Sequence, residues 1–442
     1  MVNVASIFST LGNPNSLIPL AIKDTASTTG MTVGSYITGK EEGHDRFIDE
    51  VGTEAIWLGG IPFFKWLFDK TVFKMQGLDS KFDARNLKDK EILSKIKEFA
   101  PTEEIKQNVN KIIKNEKMFK HSATAKFIVS TALTVGSYIG LTKYKQKYTD
   151  KKIRQNLIAE YEAQKKLPNE NNDSKNISSP SFKGIGKAIE SLAFSPVKNM
   201  WVLDGAITAE RLKDSRTKQE FTGYAIKEAS ILFFMYYAGG KIQEMLEHYA
   251  EKKHNMSIAL DARVLEDGFL KEAFKDGSII KSIEEFNLAN KSPVELYEFL
   301  HKNPENLVVK TAKMSDIIQN YKEPQGLFKK AKDSGKIDTR KYIDLKDIEG
   351  IKNKLEKLYT QYKEALKTGK TADEFFSKVK ILKRGSIITN IASCMIALGV
   401  LTPAVMLLNR LTSDDNQEFE TKKRIREELI KEGVIAWKNF SG

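Results

Sequence analysis

Two charged pairs with helical spacing are the first residues in this chain whose types and separation could do chemistry. Arg46 with Glu50, and Arg216 with Glu220, stand at i and i+4, so each pair would share one helix face. On a solvated surface such a pair adds roughly 0.3–0.5 kcal/mol. Beside an apolar segment it would instead neutralise a partly buried charge. A second recurring pattern is Asp-Ala-Arg, at Asp83 with Arg85 and at Asp261 with Arg263. A carboxylate there suits a helix N-cap or a pinned turn, because it accepts from the backbone N–H groups that follow it. Both patterns read as structural, since neither sets a base beside a nucleophile.

The other reactive types do not cluster. His44, His121, His248, His254 and His301 are scattered, with no i,i+4 pair among them, and Cys394 is the single cysteine. A zinc or similar site needs several such ligands close together. No metal, no cofactor and no intrachain disulfide are therefore expected. The motifs G-x-x-x-x-G-K-[ST], G-x-G-x-x-G, G-x-S-x-G and H-E-x-x-H do not occur. The acidic stretch SDDNQEFE at 413–420 lacks the Gly and the final Glu spacing of a calcium loop. The chain is not expected to be an enzyme.

These residues sit on a chain that reads as helix. The segment at 345–369 places Leu345, Ile348, Ile351, Leu355, Leu358, Tyr362 and Leu366 at spacings of three and four, with Gly369 as a stop. SPVE, starting at Ser292, and TADE, starting at Thr371, are N-terminal capping patterns. No run alternates apolar and polar residues between turn dipeptides, so little β structure is expected.

Apolar residues make up 41% and charged residues 29% of the 442 residues, which excludes a wholly disordered chain and a many-span transporter. The net charge of +13 favours anionic partners. Its lysines are interleaved with acids, as on a solvated helical surface. Four apolar runs stand out, at 55–68, 127–142, 229–240 and 386–409. Only the last reaches the roughly 20 residues of a membrane span. The second falls short, but Lys126 on one flank and Lys143, Lys145 and Lys147 on the other can snorkel to an interface. The first, which carries Trp57 and Trp66, and the third suit buried, re-entrant or interfacial helices. Tyr144 and Tyr148 among lysines after the second run suit acidic lipid rather than nucleic acid. The N-terminus lacks a basic region before its apolar residues, so no signal peptide is expected. A single cysteine fits a reducing compartment or a membrane interior.

The Asn-, Ser- and Pro-rich stretch at 165–184 reads as a flexible linker. It separates a first helical half (1–164, with runs 55–68 and 127–142) from a second (185–442, with runs 229–240 and 386–409). The second half carries an inserted helical module at about 270–380. Offset by 170 positions, residues 37–64 share nine identities in 28 with the second half, where composition alone gives about two. FDARNL then answers LDARVL, and KKIRQNLI at 151–158 answers KRIREELI at 423–430. A tandem duplication follows. The hexamer TVGSYI, present at 32–37 and 134–139, is not part of it; what its copies share is small residues. Gly136 with Gly140, and Ser393 with Ala397, are small-xxx-small pairs of the kind that let helices approach closely in lipid.

The reading is a mostly α protein of two tandem duplicated helical halves with membrane-associated apolar helices. If every run crosses, the termini and linker share one side and the long loops 74–126 and 241–383 the other. The expected role is a scaffold or interaction protein in a cytoplasmic or inner membrane. Its partners would be membrane lipid, in particular anionic lipid, and a protein partner or a second copy, but not nucleic acid. The alternatives are a parallel-repeat transporter or channel component, and a soluble helical binding protein.

Overall fold

Helical periodicity and well-placed caps decide the local structure of the computed structural model. It describes residues 4–13, 16–38, 40–164, 195–215, 218–323, 325, 331–411 and 417–435; the expected linker at 165–184 lies outside them. Helix α1 (Val4–Leu11) leads to α2 (Ile18–Thr38) and α3 (Lys40–Phe68), which continues through a π-helical turn (Asp69–Phe73) into a short tail (Lys74–Gln76). A 3-10 turn (Ala84–Lys88) precedes α4 (Lys90–Glu98), α5 (Glu103–Lys114) and the long α6 (Glu116–Gln164). Then come α7 (Pro196–Lys213), α8 (Lys218–Ile231), a π-helical segment (Leu232–Ala238) and α9 (Gly239–His254). Short helices follow: α10 (Ala262–Asp267), α11 (Phe269–Lys275), α12 (Ser278–Ala289), α13 (Pro293–Lys302) and α14 (Leu307–Met314). Strands β1 (Asn320–Glu323) and β2 (Lys332–Ile337) form an antiparallel hairpin, the one sheet among the described residues. The chain ends with α15 (Leu345–Lys367), α16 (Ala372–Ile396), a π-helical turn (Ala397–Leu401), α17 (Thr402–Leu411) and α18 (Gln417–Lys431).

The caps do what their residues allow. Ser292 accepts from the Glu295 amide at 3.2 Å. Thr371 and Glu374 form a reciprocal capping box. Gly369, at φ +83°, takes the left-handed conformation that ends α15.

The helices sort into two parts. Helices α2, α3, α6, α7, α8 with its π segment, and α16–α17 form a bundle, with Leu20, Trp57, Ile61, Tyr138, Leu203 and Leu398 in its core. At one end sits a helical module whose core joins Phe73–Ala123 residues of the first half to those from Ala250 to Val379 of the second. The insert expected at 270–380 is thus not packed by itself. Its apolar stripe on α15 (Ile348, Ile351, Leu355, Leu358) shares a core with Phe82, Ile96, Ile112 and Phe119. Contacts across that many intervening residues leave no local mark in sequence.

At the opposite end the motifs KKIRQNLI and KRIREELI meet. Ile153 and Leu157 of α6 pack on Ile425 and Leu429 of α18. Arg154 pairs with Glu432, and Arg424 with Asp150 at 2.9 Å. The N-terminus lies on the module side: α1 packs on α10, and the Asn13 amide donates to Asp316 at 3.2 Å. This corrects the expected sidedness. Two further bundle helices, α2 and α7, are rich in Ser, Thr, Gly and charge, so apolar runs alone did not reveal them.

Element positions recur with one spacing. Helices α2 and α7 begin at Ile18 and Pro196, and α3 and α8 at Lys40 and Lys218. The left-handed residues Gly77 and Asn255 close the helices that follow, and Asp83 and Asp261 cap the next turns. Each couple is 178 residues apart. The 28-residue window at offset 170 differs from that spacing by eight residues, close to two helical turns. An apolar helix stripe matches itself again at that displacement.

Close helix contact falls where glycine faces a neighbouring backbone. A Cβ on Gly30 of α2 would lie 2.0 Å from the carbonyl oxygen of Gly399. On Gly60 of α3 it would lie 2.6 Å from Thr134 of α6. Gly136 and Gly140 meet no other helix of this chain: both face outward, and an added Cβ meets nothing within 4 Å. Tyr138 and Thr134, on the other face of α6, point inward instead. Ser393 is half-buried and Ala397 buried, beside the Gly399 contact.

Candidate functional site

Part of the bundle interior, beside its apolar core, is charged. Arg46, Asp49 and Glu50 of α3, Lys145 of α6, Arg211 of α7, and Lys227 and Glu228 of α8 converge there, none more than 8% exposed. Position and periodicity bring them in. Asp49 and Glu50 lie one turn beyond Arg46 on α3, and Lys227 and Glu228 are adjacent on α8. Glu50 accepts from the Lys227 ammonium at 2.6 and 2.7 Å and lies 3.5 Å from Arg46. Asp49 lies 3.5 Å from both Arg211 and Lys145. Glu228 accepts from the Arg211 guanidinium and, at 3.2 Å, from the Thr208 hydroxyl. Arg211 also donates to the Tyr138 hydroxyl at 2.8 Å and to Thr53 at 3.0 Å. Asp45, 13% exposed, lies 3.8 Å from Lys145 and completes four carboxylates against four cations.

Aromatic rings close the network. The Arg46 guanidinium stands over Tyr224 at 5.3 Å, and that of Arg211 over Tyr138 at 5.4 Å. Towards the module, Thr25 donates to Glu54 at 2.5 Å and Tyr236 donates to Asp204. Asp24, Glu54 and Asp204 line one small cavity with Glu50, Arg211 and Lys227.

Buried charge is stable only when paired and hydrogen-bonded. Here several pairs join residues before the linker to residues after it: Asp49 with Arg211, Glu50 with Lys227, and Lys145 with Tyr224. Such an arrangement locks two halves in one register. The network contains no histidine. Among the described residues, no group of three or more His, Cys, Asp and Glu is placed to hold a metal ion.

The sequence-derived residues divide. Arg46 and Glu50 belong to the network; Arg216 and the Glu220 side chain lie outside what the structure describes. Residue 228, which stands 178 positions after Glu50, is itself a buried glutamate of the same network. Asp83 accepts from the Arg85 amide at 2.9 Å and from its guanidinium at 2.7 Å. Asp261 holds Arg263 in the same way, at 2.8 and 3.1 Å. A third copy, Asp338 with Arg340 in IDTRKY, has the same clamp, at 3.1 Å to the amide and 2.8 Å to the guanidinium. It docks on the first: the Arg340 carbonyl accepts from the Asp83 amide at 2.9 Å. Thr in place of Ala hid it from a search for Asp-Ala-Arg. Lys145, Arg211, Lys227 and Glu228 were also missed, because a charged residue in a helix looks solvated until its neighbours are known.

In the module, His301 lies between the rings of Phe99, at 4.6 Å, and Tyr297, at 4.8 Å. Burial there, with nearby Lys313, pushes its imidazole down to about 4. No protein-family model, no curated protein and no solved structure matches this chain.

Proposed function

We propose that the chain is a membrane-embedded helical protein that holds its soluble module at a membrane surface as a scaffold for a partner. One observation carries this reading, the outward apolar belt of the bundle. Its interior holds the ionic network, while Ile128, Val129, Leu133, Val400, Leu401 and Leu408 face outward. Water penalises the outward apolar belt, whereas acyl chains do not; the interior charges are tolerated because they are paired with one another. Two helices are long and apolar enough to cross a membrane, Glu116–Glu162 and Ala372–Asn409. Only 22% and 33% of their most apolar windows are buried, whereas a soluble core helix would be mostly buried. The 29 residues of α3 reach about 43 Å, enough to cross a hydrocarbon core of about 30 Å. The shared spacing of 178 residues supports duplication of a two-helix unit and the Asp-x-Arg turn after it, and in each half a long apolar helix follows later in the chain. Exposed Lys143, Lys147 and Lys151 beyond the apolar part of α6 suit anionic headgroups.

Spin labels test the reading. Cys394 is fully buried, so labels placed by Leu133→Cys and Val400→Cys report alone. In bilayers, oxygen should relax these labels more than a water-soluble nickel chelate does. The reverse order would remove the membrane. A transporter built from parallel repeats is the second reading, favoured by charge buried between the two halves. Ion or solute flux in proteoliposomes, lost on Lys227→Met, would favour it over a scaffold.

A further inference from the structure

A cavity of about 570 Å³ lies where the bundle meets the module. That volume is typical of a small-molecule site. Its wall is mixed, with Leu11, Leu20, Met235, Ile351, Ile387 and Ile391 among the apolar lining residues. Lys23 of α2 lines it too, only 6% exposed. Its ammonium lies over Gly239, 2.9 Å from where a Cβ would stand, and the Asn390 side-chain oxygen is 3.6 Å from the same point. Among the described residues no hydrogen bond or ion pair reaches Lys23. The other lining charges are accounted for. Lys383 donates to the Ile258 carbonyl at 2.8 Å and lies 3.8 Å from Glu247. Asp261 is clamped by Arg263. Asp347 and Lys354 stand on the α15 wall as one charge of each sign. Lys23 is left as a buried, unmatched cation. The Ser315 hydroxyl, also on the wall, is buried without a partner.

A buried ammonium with no counter-charge is costly unless something supplies one. We propose that this junction cavity binds a small amphiphile with an anionic head, carboxylate or phosphate, held by Lys23 above Gly239 with its apolar part against the isoleucines. The head comes either from a membrane lipid or from a free anionic compound. The cavity belongs to neither the ionic network nor the outward belt, so this proposal stands apart from the membrane reading.

Binding to the full chain in a non-ionic detergent tests it, with dihexanoyl phosphatidic acid, dihexanoyl phosphatidylcholine and inorganic phosphate as probes. The phosphatidic acid should bind saturably, and Lys23→Met should weaken it by roughly tenfold or more. Gly239→Ala, which displaces the ammonium, should weaken it as well, while Lys23→Arg retains binding. If inorganic phosphate binds as tightly as the lipid, the ligand is a free anion; if only the acylated anion binds, it is a lipid. Binding unchanged by both Lys23→Met and Gly239→Ala, equal binding of the phosphocholine lipid, or no saturable binding of either anionic probe would overturn the proposal.

Discussion

At the scale of residues, the interior of the bundle depends on charges that hold one another. Removing one member of a buried pair leaves its partner uncompensated, which costs about 3–5 kcal/mol. Lys227→Met should therefore lower stability by about that much, because Glu50 loses its closest cation. Adding Glu50→Gln should recover part of the loss. A double-mutant cycle on detergent melts reads this directly, and additive losses would mean that the pair is not coupled. His301 makes a different prediction. Its folded imidazole is held down to about 4 by burial, and the unfolded side chain titrates near 6.5. Between these values only the unfolded chain takes up the proton, so stability should fall as pH drops from about 6.5 to 4, by up to about 3 kcal/mol. His301→Leu should flatten that slope; an unchanged pH profile would contradict the burial.

At the scale of elements, helix contact is decided by where a glycine meets backbone. Gly30→Ala would press a methyl into the Gly399 carbonyl, so α2 must leave the π turn at Ala397–Leu401. A loss of about 1–3 kcal/mol is expected. Gly136→Ala has open space around it and should leave the melt unchanged or raise it slightly. Equal losses at both sites would contradict the packing. Elements were also where sequence was most legible. The stripe on α15, the Ser292 and Thr371 caps and the long apolar helices follow from 3.6-residue periodicity and cap chemistry. The pairing of KKIRQNLI with KRIREELI makes physical sense of a likeness visible in sequence. What stayed hidden depended on distant neighbours. Lys145, Arg211 and Lys227 look like surface residues in any local window, and α2 and α7 are too polar to register as bundle helices. Lys23 and its cavity depend on α2, α9, α15 and α16 meeting at one point with residues 259–261.

At the scale of the whole molecule, two kinds of surface meet in one chain. The module is an ordinary globule, apolar within, its core running from Phe73 to Val379. The bundle adds four paired cations to its apolar core and carries a belt of aliphatic and aromatic side chains outside, including Phe63 and Trp66. A water-facing belt of that extent would drive aggregation, whereas in a bilayer it is the low-energy face. Detergent should accordingly be needed to keep the full chain monodisperse. The most direct measurement is flotation of carbonate-washed membranes from cells producing the full chain. The expected result is that the protein rises with the lipid fraction. Recovery in the carbonate supernatant, as a monodisperse species without detergent, would contradict the embedding of the bundle.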